Sequence, residues 1–135
     1  MADKLKDMRN SKTKRPTDAE MAILRVLWQR GPSTVREIFE QMGSVGGYTT
    51  VLKFLQIMTG KGLVLRKEMG RSHIYSAKDP AEKTQKHLTR DLLNRVFGGS
   101  CKTLVMQALS VEKASREDLA EIRQLIEKME RSGNV

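Results

Sequence analysis

Thr49, Thr50, Lys53 and Gln56 gather two hydroxyls, an ammonium and an amide within two helical turns. These groups can donate to and accept from base edges in a DNA major groove. Leu52 and Ile57, beside them, offer apolar surface that suits either thymine methyl groups or a neighbouring helix. A Thr-Thr pair is also the type of residue that caps a helix, so both readings of Thr49 and Thr50 stand at this point. Further on, Arg66, Lys67 and Arg71 with Gly70 can meet phosphates flanking the groove, against the alternative of ordinary solvated strand charges. Ahead of them, Lys12, Lys14 and Arg15 add candidate backbone or minor-groove contacts. Other chemistry is sparse. His73 and His87 have no metal-ligand spacing between them, so no catalytic residue, metal or cofactor is expected and the chain does not read as an enzyme. Gly98 to Thr103 loosely matches a phosphate-binding loop. Cys101 stands where the glycine before Lys102 should be, and no strand leads in, so the segment reads as a break between helices. Cys101 itself reads as a small packing residue.

Charge supports a polyanionic partner. Among the 135 residues, 25 Lys and Arg oppose 16 Asp and Glu, a formal charge of +9. The excess is uneven: residues 1–78 hold 15 basic against 7 acidic side chains, whereas residues 79–135 hold 10 against 9. The front half is basic and the back half nearly neutral, which suggests nucleic-acid contact in one and another task behind it. A single cysteine excludes an internal disulfide framework. No apolar stretch approaches the roughly 20 residues of a membrane span, and no secretory leader is evident, so a cytoplasmic protein without membrane insertion is expected.

These candidate contacts need elements to position them. Residues 1–15 lack apolar periodicity and read as a flexible basic arm. Thr17 with Glu20, and Thr34 with Glu37, have capping-box spacing. They open two helices whose apolar stripes are Ile23, Leu24, Leu27 and Trp28, then Val35, Ile38, Phe39 and Met42. Gly31-Pro32 and Gly43 close these helices. After the glycine-rich link from Ser44 to Gly47, Val51, Phe54, Leu55 and Met58 predict a third helix over about 49–60, with Thr49, Thr50, Leu52, Lys53, Gln56 and Ile57 outward. Leu63 to Glu68 and Ser72 to Ala77 are β-compatible runs separated by Met69, Gly70 and Arg71, which reads as a hairpin with a basic edge. Three helices followed by a hairpin is the winged-helix order, containing a helix-turn-helix.

Beyond Pro80 the pattern is helical again. Leu88, Leu92, Leu93, Val96 and Phe97 form one stripe. Leu104, Val105 and Leu109 form a second, and Leu119, Ile122, Leu125, Ile126 and Met129 a third behind the cap Ser115. Helices this short and few enclose little core alone, so pairing with a second copy is expected through Leu88, Leu92, Val96, Leu104, Val105, Leu109, Leu119, Ile122, Ile126 and Met129. Folding back as a monomer is the alternative. The expected class is mostly α with a small β-hairpin: a 1–15 arm, a 16–78 winged helix-turn-helix and a 79–135 helical dimerisation region.

The runs Thr17-Asp18-Ala19-Glu20-Met21, Leu27-Trp28, Gly31-Pro32, Thr34-Val35-Arg36-Glu37-Ile38, Tyr48-Thr49-Thr50-Val51, Lys61-Gly62-Leu63-Val64 and Gly70-Arg71 closely resemble the penicillinase-repressor family of bacterial winged-helix regulators. Thr103-Leu104-Val105 and the last helix extend the likeness to about Glu130. The resemblance implies a homodimeric transcriptional repressor on a palindromic double-stranded operator. Its genes would serve antibiotic resistance, metal handling or cell-envelope stress, and a membrane-bound sensor protease would act indirectly in its release. In β-lactam-responsive members the cut falls at an Asn-Phe bond, where this chain has Gln107-Ala108. The clustered C-terminal cysteines of the copper-responsive branch have no counterpart here, which argues against thiolate copper sensing. A rival use of the same fold is a protein-interaction or assembly module without sequence-specific DNA binding.

Overall fold

The computed structural model describes residues 15–44 and 46–133. The expected arm up to Lys14 lies outside them. Helix α1 (Asp18–Arg30) begins at Thr17, whose Oγ1 accepts the Glu20 N–H at 3.3 Å while Glu20 Oε1 accepts the Thr17 N–H at 2.8 Å. Helix α2 (Val35–Gln41) opens on the same reciprocal pair, at 3.2 Å and 2.9 Å between Thr34 and Glu37. Each box satisfies two N–H groups that a first turn otherwise leaves free.

Helix α3 (Tyr48–Lys61) starts differently. Its N-cap is Gly47, with no side-chain cap and no acidic residue in the first turn. Thr49 and Thr50 therefore lie inside the helix rather than capping it. At the other end Gly62 takes the left-handed conformation, φ 78° and ψ 23°, and its N–H returns to Met58 and Thr59. That reversal sends the chain directly into the hairpin.

Strands β1 (Val64–Met69) and β2 (Ser72–Ala77) pair antiparallel from Val64 opposite Ala77 to Met69 opposite Ser72. Gly70 bridges them at φ 65°, while Arg71 stays at negative φ. This is the two-residue turn that needs glycine in its first position. A lone two-stranded hairpin is marginal in water. Here Ser33, between α1 and α2, adds a bridge to Tyr75 with N–H to oxygen distances of 2.9 Å and 2.8 Å. Tyr75, 1% exposed, and Val64 then join Ile23, Leu24, Leu27, Val35, Ile38, Val51, Leu55 and Met58 in one core. The wing is thus tied to the helices by backbone and side chain together.

Helices α4 (Ala81–Arg95), α5 (Cys101–Val111) and α6 (Arg116–Arg131) follow. The chain divides into two compact units between Asp91 and Leu92, within α4. Two polar links lie at the edge of the first unit. The Trp28 indole N–H donates to the Asp79 carbonyl at 2.9 Å, and Arg15 meets Asp91 at 2.7 Å. The first lies just ahead of α4 and the second in its later part. In the second unit no described residue is buried. Val96 is 59% exposed and Ile126 50%, and Leu92, Val105, Leu109, Leu119, Leu125 and Met129 are exposed too. Leu88, on α4 in the first unit, and Leu104 and Ile122, in the second, are half-buried. Val96 and Phe97 fall just past the end of α4, in the turn leading to Gly98 and Gly99, both at positive φ. Ser100 and Ser115 cap α5 and α6 by accepting the N–H groups of Thr103 and Asp118. Among the described residues no helix is long and apolar enough to cross a membrane.

Candidate nucleic-acid interface

Val51, Leu55 and Met58 turn one side of α3 into the core. At 3.6 residues per turn the opposite side must carry Thr49, Lys53, Gln56 and Gly60. Thr49, Lys53 and Gln56 are all exposed, forming a hydroxyl-ammonium-amide ridge, and the end at Gly60 has no side chain. Thr50 and Ile57 flank it, also exposed, whereas Leu52 is half-buried against the core. Leu52 is thus the outward position that packing claims, and Ile57 the one left free. With no carboxylate in its first turn, α3 directs the positive end of its dipole outward without an internal counter-charge, unlike α1 and α2.

The wing differs from the basic edge expected. Side chains of consecutive strand residues point to opposite faces. Arg66, opposite Tyr75, shares a face with Val64, Glu68 and His73, while Lys67, opposite Ile74, shares the other with Leu65 and Met69. All of Arg66, Lys67 and Arg71 are exposed. A Glu68–His73 pair at 3.7 Å, ionic when the imidazole is protonated, lies on the Arg66 face. The hairpin therefore offers one cation on each face and a third, Arg71, at its tip.

Ion pairing sorts the remaining cations. Arg15, placed among the DNA contacts from its position in the basic arm, is held by Asp91 and is mostly buried at its side chain. Arg30 pairs with Glu37 and Lys61 with Glu20, while Lys83 pairs with Asp79 just ahead of α4 and Lys86 with Glu82 one turn back on it. Arg36, Lys53, Arg66, Lys67 and Arg71, on the helix-turn-helix and the wing, make no ion pair among the described residues, and neither do Arg25 on α1, Lys78 after β2 or Arg90 on α4.

Two arrangements escaped the sequence. Glu20 is 1% exposed, and its Oε1 accepts both the Thr17 N–H and the Lys61 ammonium at 2.8 Å. It joins the start of α1 to the end of α3. Burial pushes the Glu20 carboxyl up, but Lys61 and the Thr17 N–H outweigh that and hold it below its ordinary value. The Glu37 carboxyl is also lowered, chiefly by the Thr34 N–H and then by Arg30. The second arrangement is Arg36, whose guanidinium carbon lies 5.5 Å from the centroid of the Tyr48 ring. Only the helix boundaries hinted at it, because the two residues meet across the inter-helix turn. His87 and Cys101 are exposed on α4 and α5. Among the described residues no cluster of three His, Cys, Asp or Glu side chains is placed to hold a metal ion.

The penicillinase repressor family model matches residues 16–128, spanning head, wing and the helices behind them. The chain belongs to this family. The repressor is 21% identical over 113 residues to the penicillinase repressor of Bacillus licheniformis, a match spanning 82% of this chain and 88% of that protein. It is also 21% identical over 121 residues to the methicillin resistance regulatory protein MecI of Staphylococcus aureus (strain N315), covering 88% and 98% respectively. In fold it is similar to the YusO protein from Bacillus subtilis, with a TM-score of 0.51 and 18% identity over 92% of this chain and 81% of that one. Family and winged-helix architecture together make it a DNA-binding repressor.

Proposed function

We propose that the repressor binds a palindromic operator as a homodimer, each copy setting α3 into a major groove with its hairpin on the flanking phosphates. The observation that carries this reading is the exposed ridge of Thr49, Lys53 and Gln56 on α3, with exposed hairpin cations Arg66, Lys67 and Arg71 that make no ion pair among the described residues. Hydroxyl, amide and ammonium groups can read base edges, and the hairpin guanidinium and ammonium groups set register on the backbone. Arg15 is outside this contact set, because Asp91 holds its guanidinium. The apolar side chains left exposed on α5 and α6 support the dimer: two copies can bury surface that one cannot. A two-fold dimer then matches a two-fold operator.

The roles named for the Bacillus licheniformis and Staphylococcus aureus relatives support an antibiotic-resistance gene as the regulated target, in the cytoplasm. Release through a membrane-bound sensor protease acting indirectly requires local unwinding, since Gln107 and Ala108 lie inside α5. Gel-shift titration against the repressor's own upstream region tests the central reading. Preference for one palindrome over bulk DNA by about a thousandfold is expected, and less than about a hundredfold overturns it in favour of a protein-binding module.

A further inference from the structure

Arg36 is the one basic residue of α2, and it is exposed. Its guanidinium lies over the Tyr48 ring, which Phe39 meets edge-on at 6.1 Å between centroids and 80° between planes. Phe39 packs in turn against the core of the head. A surface cation is thereby tied, ring by ring, to the hydrophobic interior. Tyr48 opens α3, so this seat spans the turn between the two helices of the helix-turn-helix. The adjacent carboxylate of Glu37 is engaged by Arg30, and Arg36 makes no ion pair among the described residues.

We propose that Arg36 is a phosphate-binding residue, held ready by the Tyr48 ring for the DNA backbone beside the groove that α3 enters. The inference rests on the operator-binding reading above and adds a contact that no spacing in the sequence identifies. In a helix-turn-helix the first helix crosses the backbone while the second lies in the groove, so the lone cation of α2 faces phosphate. A guanidinium resting on an aromatic ring retains N–H groups able to fork onto phosphate oxygens. Seated in advance, it also loses less rotamer freedom when DNA arrives.

The test measures affinity of the full chain for an operator duplex and for a scrambled duplex across a series of salt concentrations. Arg36→Ala is expected to weaken both by a similar factor, about tenfold, and to lower the slope of log affinity against log salt by about 1. Arg36→Lys keeps the charge and the slope. Tyr48→Phe keeps the ring and binds as the unsubstituted chain does, whereas Tyr48→Leu loses about threefold because the cation must then be ordered on binding. An unchanged slope in Arg36→Ala overturns the proposal, whether affinity holds or falls together with the unfolding midpoint. So does a loss confined to the operator duplex, which would make Arg36 a base reader. If Tyr48→Phe falls as far as Tyr48→Leu, the ring is not the seat and the proposal fails in that part. Absence of binding by the unsubstituted chain would instead remove the operator reading itself.

Discussion

Lys53 and Glu20 show two kinds of charge, one left for a partner and one consumed by the fold. Lys53 stands on the exposed ridge of α3 without an ion pair among the described residues. Lys53→Ala is expected to cost about 1 kcal/mol of operator binding, roughly fivefold by titration, with little change in unfolding. Glu20 has the opposite profile. Its carboxylate is buried and satisfied by Lys61 and Thr17, so Glu20→Gln should lower stability by about 1–3 kcal/mol, measured by urea unfolding at neutral pH. Its carboxyl lies below the ordinary value of 4.5 in the folded state. The stabilisation is therefore fully present above that value and is lost as pH falls through the lowered one. Unfolding midpoints of Glu20→Gln should accordingly depend less on pH in that acid window than those of the unsubstituted chain.

At the scale of elements, α3 is held from both ends by different devices. Gly62 and the Glu20–Lys61 pair anchor its close, and Tyr48 stacks its opening on α2. Between them Gly60 sits inside the helix, and a Cβ added there would meet nothing within 4 Å. Gly60→Ala is expected to raise stability by about 0.5–1 kcal/mol, read as a higher urea midpoint with unchanged slope. A loss of stability would mean that the end of α3 requires glycine for its backbone. The wing obeys the alternation of strands, which is why Arg66 and Lys67 part to opposite faces even though they are adjacent in sequence.

For the whole molecule, the decisive contrast is between a head with a closed core and a second unit in which no described residue is buried. Ile126, half exposed on the apolar stripe of α6, marks where a second copy would bury surface. Ile126→Asp is expected to shift sedimentation of the full chain from dimer to monomer by placing an unpaired charge in that interface. Operator affinity should fall with it, because a monomer reads only a half-site. A dimer that persists unchanged would move the interface away from α6.

Much of this was legible in the chain itself, because it depends on neighbours three or four residues apart. The Thr17–Glu20 and Thr34–Glu37 boxes, the inward stripe of Val51, Leu55 and Met58, and the turn at Gly70 are all local patterns with local causes. They sufficed for the winged-helix order and for the outward ridge of α3. Tertiary packing decided the long-range pairings. Arg15 finds Asp91 across 76 positions and Lys61 finds Glu20 across 41, while Arg36 meets Tyr48 only because two helices fold against each other. Helical and strand periods repeat along the chain and can be counted, whereas ion pairs and stacked rings form between segments whose approach is set by burial of the core.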